Sequence, residues 1–185
     1  ISASYALFAL MCFHAARLDA KINTENELLD LKSQDRNKWS FPLIQLGNAM
    51  MNKAVENNEF SIYHYEAAIV AEHIKASSFK QTNWDKILQW YQQLHKLKPT
   101  PAHLLTMAVV CLQNKNYIMA SYYFEQINPN DLEQRSYLYY GAKSDYYSEI
   151  NDKKEALRNL NIAIETVHNN LEKEFLIKKK NNLSN

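Results

Sequence analysis

The sequence predicts an all-α fold made of antiparallel helix hairpins, and three observations lead to this prediction. First, the 185 residues include only two glycines and four prolines, so few residues interrupt a helix. Second, apolar residues recur at i, i+3/i+4 and i+7 along almost the whole chain, and no segment alternates with period two. Third, the second half of the chain repeats its own pattern. A chain of this length can also bury a substantial core.

The first part of the chain predicts helices of unequal length. The apolar run 5–13 belongs to a buried first helix and is too short to span a membrane. A short helix is expected after Thr24, whose hydroxyl would form a capping box with Glu27. Further helices are expected to begin near Ser40 and after Ser61.

Gly47 lies on the apolar face of the helix that is expected to begin near Ser40. A glycine there allows a neighbouring helix to approach closely, because it has no Cβ. We therefore expect Gly47 at a helix contact.

A repeat is visible after about residue 79. Aligning Ile87, Ala120 and Ala156 gives steps of 33 and 36 residues, and each is followed four and seven positions later by an apolar or small residue. This period and this order resemble the tetratricopeptide repeat (TPR), in which small residues allow the two helices of a hairpin to approach closely. We expect the close-contact positions to be buried, namely Ala120, Phe124, Ala156, Leu160 and Ala163.

The repeat is visible only in the second part of the chain, and this difference predicts the domain organisation. Residues 1–79 are expected to form irregular helix pairs, and residues 80–185 are expected to form TPR-like hairpins. Both parts are expected to pack as one continuous superhelical domain.

Composition argues against several classes of function. With 21 basic and 20 acidic residues the net charge is +1, so no overall field attracts nucleic acid or an anionic membrane. Cys12 and Cys111 each lie in an apolar helical stretch and form no CxxC pair. We interpret them as reduced core residues of a cytoplasmic protein.

No motif for catalysis is present. The sequence has no HExxH, no GxSxG and no glycine-rich phosphate loop. His64 and His73 are nine residues apart, which places them on opposite faces of one helix. The run 178–180 of three lysines is interpreted as favourable charge at the end of a helix. We therefore expect no catalytic residue, no cofactor and no metal.

The loop with Asp35, Arg36 and Trp39 is the strongest candidate for a specific site, since helical packing does not explain these three residues within five positions. In one interpretation Asp35 is a cap or pairs with Arg36, while Trp39 anchors the loop in the core. In the other, Arg36 and Trp39 contact a partner protein. A buried Trp39 with Arg36 held by carboxylates of the same domain would favour the first interpretation, and an exposed Trp39 or Arg36 would favour the second.

The remaining aromatic residues are mostly interpreted as packing between helices, since they recur at inner-face spacing. Tyr139 and Tyr146 fall off that spacing, so they are the better surface candidates.

Several segments in order resemble a known family. They are AlaLeuMetCysPheHisAlaAlaArg with its leucine at position 10 (9–17), GlnAspArgAsnLysTrp (34–39), Gly47, the segment from Tyr63 to His73, ThrAsnTrp ending at Trp84 with Ile87 and Tyr91, the Pro99 and Pro101 pair, and GluLysGluPheLeu (172–176). Together they resemble the C-terminal helical-repeat extension of a group of extracytoplasmic-function (ECF) RNA polymerase sigma factors. The resemblance implies two upstream promoter-binding domains that this chain does not contain.

Two functions remain open at this point. The resemblance implies a regulatory domain of a bacterial transcription initiation factor. Its expected partners are the upstream sigma domains of the same polypeptide, RNA polymerase or both, with DNA contacted only through those other domains and no membrane contact. The alternative is a free-standing TPR-like scaffold that binds peptides and has no part in transcription. The candidate interaction or family-motif residues are Asp35, Arg36, Trp39, His73, Trp84, Tyr139 and Tyr146.

Overall fold

The all-α prediction is confirmed by the structure, a computed structural model that describes residues 1–25 and 27–184. Within these residues the chain forms nine α-helices and no β-strand. Short 3-10 turns lie at Leu18–Ala20, Arg36–Lys38, Phe79–Gln81 and Pro129–Arg135. The helices are α1 (Ser2–Ala15), α2 (Phe41–Ala54), α3 (Ile62–Lys75), α4 (Trp84–Leu97), α5 (Pro101–Gln113), α6 (Tyr117–Glu125), α7 (Ser136–Glu149), α8 (Lys153–Thr166) and α9 (Asn170–Ser184).

The helices group into two compact units, Ile1–Pro99 and Thr100–Asn185. In the first unit α1 packs against α2 and α3, and α3 packs against α4. In the second unit α5 packs against α6, α7 packs against α8, and α8 packs against α9. Within each unit, helices adjacent in sequence are therefore neighbours in space, as in helical-repeat proteins. The division into residues 1–79 and 80–185 as parts of one continuous domain stays a prediction.

The core of the first unit forms where α1 meets α2 and α3. Ala9, Phe13, Ala67 and Val70 are buried there. A Cβ built on Gly47 of α2 would lie 2.5 Å from Cε1 of Phe13, so the two helices approach closely at this point, as predicted.

The short helix predicted after Thr24 is wrong for the described residues. The side chain of Asn23 accepts hydrogen bonds from the backbone amides of Glu25 at 2.9 Å and Glu27 at 2.8 Å. An asparagine side chain that binds these amides competes with helical hydrogen bonding and closes a turn instead. Asn26, within the predicted helix, lies outside the described residues.

The turn between α5 and α6 ends one helix and starts the next. Lys115 has a positive φ of 56°. The Asn116 amide donates to the carbonyl oxygen of Cys111 at 2.9 Å, which closes the end of α5. The Asn116 side chain accepts from the Met119 amide at 3.2 Å and caps α6.

The turn between α7 and α8 has the same construction. Asn151 has a φ of 62°, and the Asp152 amide donates to the carbonyl oxygen of Tyr147 at 2.8 Å. The Asp152 side chain then accepts from the Glu155 amide at 3.1 Å and caps α8. The two hairpins of the second unit therefore have the same type of turn, and the equivalent residues of the two turns are 36 positions apart.

The close-contact positions of the repeat are buried, as predicted. Ala120, Ala156, Leu160 and Ala163 have no exposed surface, and Phe124 has 1%. The three alanines have small side chains, which allow the paired helices to lie close together.

Replacing Ala120 or Ala156 by leucine is expected to lower the free energy of unfolding by about 2 kcal/mol, because neither contact has room for the extra methylene groups. Urea denaturation measures this change. Ile118 of α6 is 83% exposed, so Ile118→Ala serves as a control that should leave stability nearly unchanged. Unaltered unfolding in both leucine variants would contradict the close-contact assignment.

Within the described part of the chain, no helix combines the length and the apolar character that crossing a membrane requires.

Candidate interaction site

The loop that precedes α2 is held by its own polar groups. The Asp35 side chain caps the Arg36–Lys38 turn by accepting a hydrogen bond from the Asn37 amide at 2.9 Å. The Ser40 amide then donates to the carbonyl oxygen of Ala16 at 2.8 Å, which ties the loop to the end of α1. These contacts place the loop next to α1.

Trp39 anchors this loop, with only 8% of its surface exposed. The guanidinium carbon of Arg36 lies 4.4 Å from the centroid of the Trp39 ring, and that of Arg17 lies 5.5 Å from it. Both distances are within the range of cation–π attraction. One indole therefore contacts two cations that are distant in sequence.

Arg36 also closes the end of α3. Its Nη1 donates to the carbonyl oxygen of His73 at 2.7 Å and to that of Ala76 at 3.0 Å. The last carbonyl groups of a helix have no partner within the helix and carry its partial negative charge, so a cation is favourable there. The interpretation of the loop as an intradomain clamp is therefore supported, with backbone carbonyls in place of the carboxylates that we expected around Arg36.

Replacing Arg36 by alanine is expected to lower the free energy of unfolding by about 1 to 2 kcal/mol, since two carbonyl acceptors and the indole lose their partner. Thermal and urea denaturation measure the loss. Lys38 is exposed in the same short turn, so Lys38→Ala is the matched control and should change stability by less than about 0.5 kcal/mol. Equal stability of Arg36→Ala and the wild type would contradict the clamp.

Arg17, at the end of α1, contacts the loop through a glutamine. Its Nε and Nη2 both donate to Oε1 of Gln34, at 3.4 and 3.3 Å. Gln34 in turn donates to the carbonyl oxygen of Leu29 at 3.3 Å. All three hydrogen bonds are longer than is usual for N–H···O contacts. We call the group formed by Arg17, Gln34, Arg36, Trp39 and His73 the arginine cluster.

His73 and Trp84 extend the cluster toward α4. The two rings meet edge to face at 5.3 Å, and Phe79 lies 4.9 Å from Trp84 on a similar edge-to-face contact. Burial, and to a smaller extent Arg17 and Arg36, lower the pKa of His73 to about 4. His73 is therefore neutral at physiological pH.

The arginine cluster carries positive charge without a counterion among the described residues. No described carboxylate forms an ion pair with Arg17 or Arg36. Burial lowers the pKa of both guanidinium groups, and each arginine stays charged because its ordinary pKa is so high. Nη2 of Arg36, Nε1 of Trp39 and Nδ1 of His73 are also buried without a hydrogen-bond partner in the described structure.

Five of the predicted residues are thus brought together. Arg36, Trp39 and His73 belong to the arginine cluster, Asp35 caps its loop, and Trp84 packs against His73. Their role as an interaction site stays a prediction.

Tyr139 and Tyr146 belong to the second unit. The prediction that Tyr139 is a surface residue is wrong, since only 6% of it is exposed. Its ring packs on Phe124 at 5.8 Å because α7 contacts helices on more than one side. Tyr146 is half-buried and also contacts Phe124, at 5.9 Å.

Arg17 and Gln34 were not among the predicted site residues. In the sequence, Arg17 is a cation near the C-terminal end of a helix, where positive charge is favourable whatever the function. The contact of Arg17 with Trp39 and Gln34 depends on how α1 packs on the loop. The one available signal was that both residues lie in the family-like segments.

A serine and a histidine also meet, at the start of α1. Ser2 Oγ lies 3.0 Å from Nε2 of His64, and both side chains are buried. The Ser61 amide donates to Nδ1 of His64 at 3.0 Å, so the proton of the ring is on Nε2. His64 therefore donates toward Ser2, and Ser2 donates to the carbonyl oxygen of Ala54 at 2.6 Å. This geometry joins α1, α2 and α3, and His64 cannot act as a base for Ser2.

Within the described residues, no group of three or more histidine, cysteine, aspartate or glutamate side chains is arranged to hold a metal ion. Cys12 and Cys111 are buried, as predicted, and neither forms a disulfide among the described residues. Of the three lysines at 178–180, Lys179 pairs with Asp145 at 2.6 Å.

Comparison with known proteins gives two matches. Residues 2–55, from the start of α1 to the end of α2, match the profile of DUF6596, a family of unknown function. An uncharacterized protein of Rhizobium meliloti (strain 1021) is 36% identical over 103 residues, which is 56% of this chain and 24% of that protein. The match thus spans about a quarter of the relative's length. No solved structure matches the chain.

Proposed function

We propose that this chain is the regulatory, protein-contacting extension of an ECF-type RNA polymerase sigma factor, and that it modulates transcription initiation in the bacterial cytoplasm. It does so by contacting the upstream sigma domains of the same polypeptide, RNA polymerase or both. DNA is contacted only by those other domains.

The observation that carries the proposal is the convergence of the family-like segments. Arg17, the loop 34–39, His73 and Trp84 come from four separate segments that resemble the sigma-factor extension. The fold gathers them around one indole and two guanidinium groups. Arg17 and Arg36 are half-buried in this group, and arginine is among the side chains that most often anchor protein interfaces.

The charge of the chain supports contact with protein over contact with DNA. A net charge of +1 supplies no field for the phosphate backbone, and binding to DNA depends on neutralising several phosphates.

The test uses the full-length polypeptide that contains this chain. Run-off transcription with core polymerase is measured with and without residues 1–185, and polymerase capture is measured in parallel. We expect the deletion to change transcript yield at a constant amount of protein. Absence of promoter-binding domains from the polypeptide, or unchanged transcription and polymerase capture after the deletion, would overturn the proposal.

A second candidate is a TPR-like scaffold that binds peptides independently of transcription. It is favoured by the shared turn of the two hairpins, Lys115 to Asn116 and Asn151 to Asp152, which is the kind of regularity that a superhelical repeat requires. A full-length protein without sigma domains that binds a peptide at these helices would favour the scaffold over the sigma factor.

A further inference from the structure

We propose that the arginine cluster is a receptor for a carboxylate side chain of an acidic protein segment. While this segment is absent, the neutral side chain of Gln34 accepts the hydrogen bonds of Arg17 in its place. The place of this partner in the transcription machinery rests on the proposed function, whereas the carboxylate chemistry at the arginine cluster does not.

The contact between Arg17 and Gln34 resembles the geometry in which arginine binds a carboxylate, but its acceptor is an uncharged amide. Nε and Nη2 of Arg17 both point at one oxygen of the Gln34 amide. These two groups belong to the set of guanidinium donors that bind a carboxylate in bidentate fashion. A carboxylate in place of the amide offers two charged oxygens and shorter, stronger hydrogen bonds.

The cluster has further donors for such a ligand. Nη1 of Arg36 is engaged by α3, whereas Nη2 is buried without a partner in the described structure. Nε1 of Trp39 is also buried without a hydrogen-bond partner there, and the side chain as a whole is more than nine-tenths buried. A buried donor without an acceptor is unfavourable, so an acceptor that displaces the atoms covering these donors relieves this cost.

The charge of the cluster selects an anion. Arg36 lies close enough to Arg17 to lower the pKa of Arg17, after the larger effect of burial, and no described carboxylate forms an ion pair with either arginine. Both arginines also disfavour protonation of His73. An anion that binds next to these arginines offsets an unfavourable interaction that the unbound chain retains.

A protein carboxylate fits the cluster better than a nucleic acid. The Gln34 amide that Arg17 already binds has the shape and size of a glutamate side chain, so the site accepts that group without rearrangement of the guanidinium. Two half-buried arginines in a chain of net charge +1 lack the extended basic surface that a phosphate backbone binds.

The probe for the experiment is a fluorescein-labelled peptide of alternating glutamate and glycine, with binding to the 185-residue chain measured by anisotropy at low salt. A single-stranded oligonucleotide of equal charge is measured in parallel. We expect saturable binding of the peptide. The Arg17→Gln variant is expected to bind it more than about tenfold more weakly, which corresponds to loss of one charge-assisted interaction. Arg158→Gln is the charge-matched control, because Arg158 is exposed in the second unit.

Gln34→Glu gives the decisive result. A glutamate at this position would fill the site from within the chain, so this variant should melt at a higher temperature than the wild type and should no longer bind the peptide. If Gln34 had only a structural role, the added charge would have no reason to produce both effects together.

Equal peptide binding by Arg17→Gln and Arg158→Gln would overturn the inference, as would full binding by Gln34→Glu. Stronger Arg17-dependent binding of the oligonucleotide than of the peptide would show a phosphate site instead. None of these measurements involves transcription, so failure of the sigma-factor proposal and failure of the receptor can be told apart.

Discussion

Replacing Gly47 by alanine is expected to lower the free energy of unfolding by about 3 kcal/mol, although alanine is the better helix former. The new Cβ would lie 2.5 Å from Cε1 and 2.7 Å from Cδ1 of Phe13. Phe13 is fully buried among α1, α2 and α3, so its ring cannot move aside without disturbing that core. Urea denaturation of the two proteins measures the difference.

The other glycine of the chain is the matched control. A Cβ on Gly141 of α7 would meet only Cδ2 of Leu176, at 3.8 Å, which is an ordinary contact. Gly141→Ala is therefore expected to raise stability by up to about 1 kcal/mol, through helix propensity alone. Phe13→Leu should partly rescue Gly47→Ala, because a smaller side chain makes room for the methyl group. A stabilising Gly47→Ala would contradict the close approach of α1 and α2.

Most helix starts and turns were predictable because their signals are local. Asn83 accepts a hydrogen bond from the Lys86 amide at 3.0 Å, and Thr100 accepts one from the His103 amide at 3.2 Å, as their positions before the helices predict. The polar residues between α5 and α6 likewise form a turn, with Lys115 in the left-handed region. Such features depend only on residues a few positions apart.

Two predictions were wrong, the helix after Thr24 and the surface position of Tyr139, because other contacts outweighed the local sequence signal. Thr24 and Glu27 have capping-box spacing, yet the Asn23 side chain binds the Glu27 amide at 2.8 Å and closes a turn. Tyr139 was placed on the surface by assuming that α7 buries one face. Its ring packs on Phe124 of α6, while Tyr140 packs against the core formed with α8 and α9, so α7 is covered on more than one side.

The candidate site was predictable only in part. The composition of the loop indicated that Arg36 and Trp39 have a specific structural or binding role. Trp39 is buried, as the clamp interpretation requires. The partners of Arg36 are backbone carbonyl groups at the end of α3, and every helix end has such groups whatever its sequence. Arg17 likewise reaches Trp39 only through the packing of α1, which no spacing rule encodes.

Acidification from pH 7 to pH 4 is expected to remove up to about 3 kcal/mol of stability through His73 alone. Burial first, and Arg17 and Arg36 next, lower the pKa of His73 from its ordinary 6.5 to about 4 in the folded chain. The unfolded chain therefore takes up a proton at a higher pH than the folded chain. The contribution of His73 to stability is fully present above pH 6.5 and is lost as the pH falls toward 4, by about 1.4 kcal/mol per pH unit.

The measurement is the free energy of unfolding in urea at pH 7, 6, 5 and 4 for the wild type and for His73→Phe. Phenylalanine keeps an aromatic ring against Trp84 and has no group that titrates, so the variant should lose less stability than the wild type on acidification. His14, whose pKa burial and the neighbouring Arg17 and Lys21 also lower, remains in both proteins and its effect cancels in the comparison. His168 is exposed, so His168→Gln should follow the wild type. Parallel pH profiles for the wild type and His73→Phe would mean that His73 is not held neutral in the arginine cluster, and the buried, positively charged environment inferred for it would be wrong.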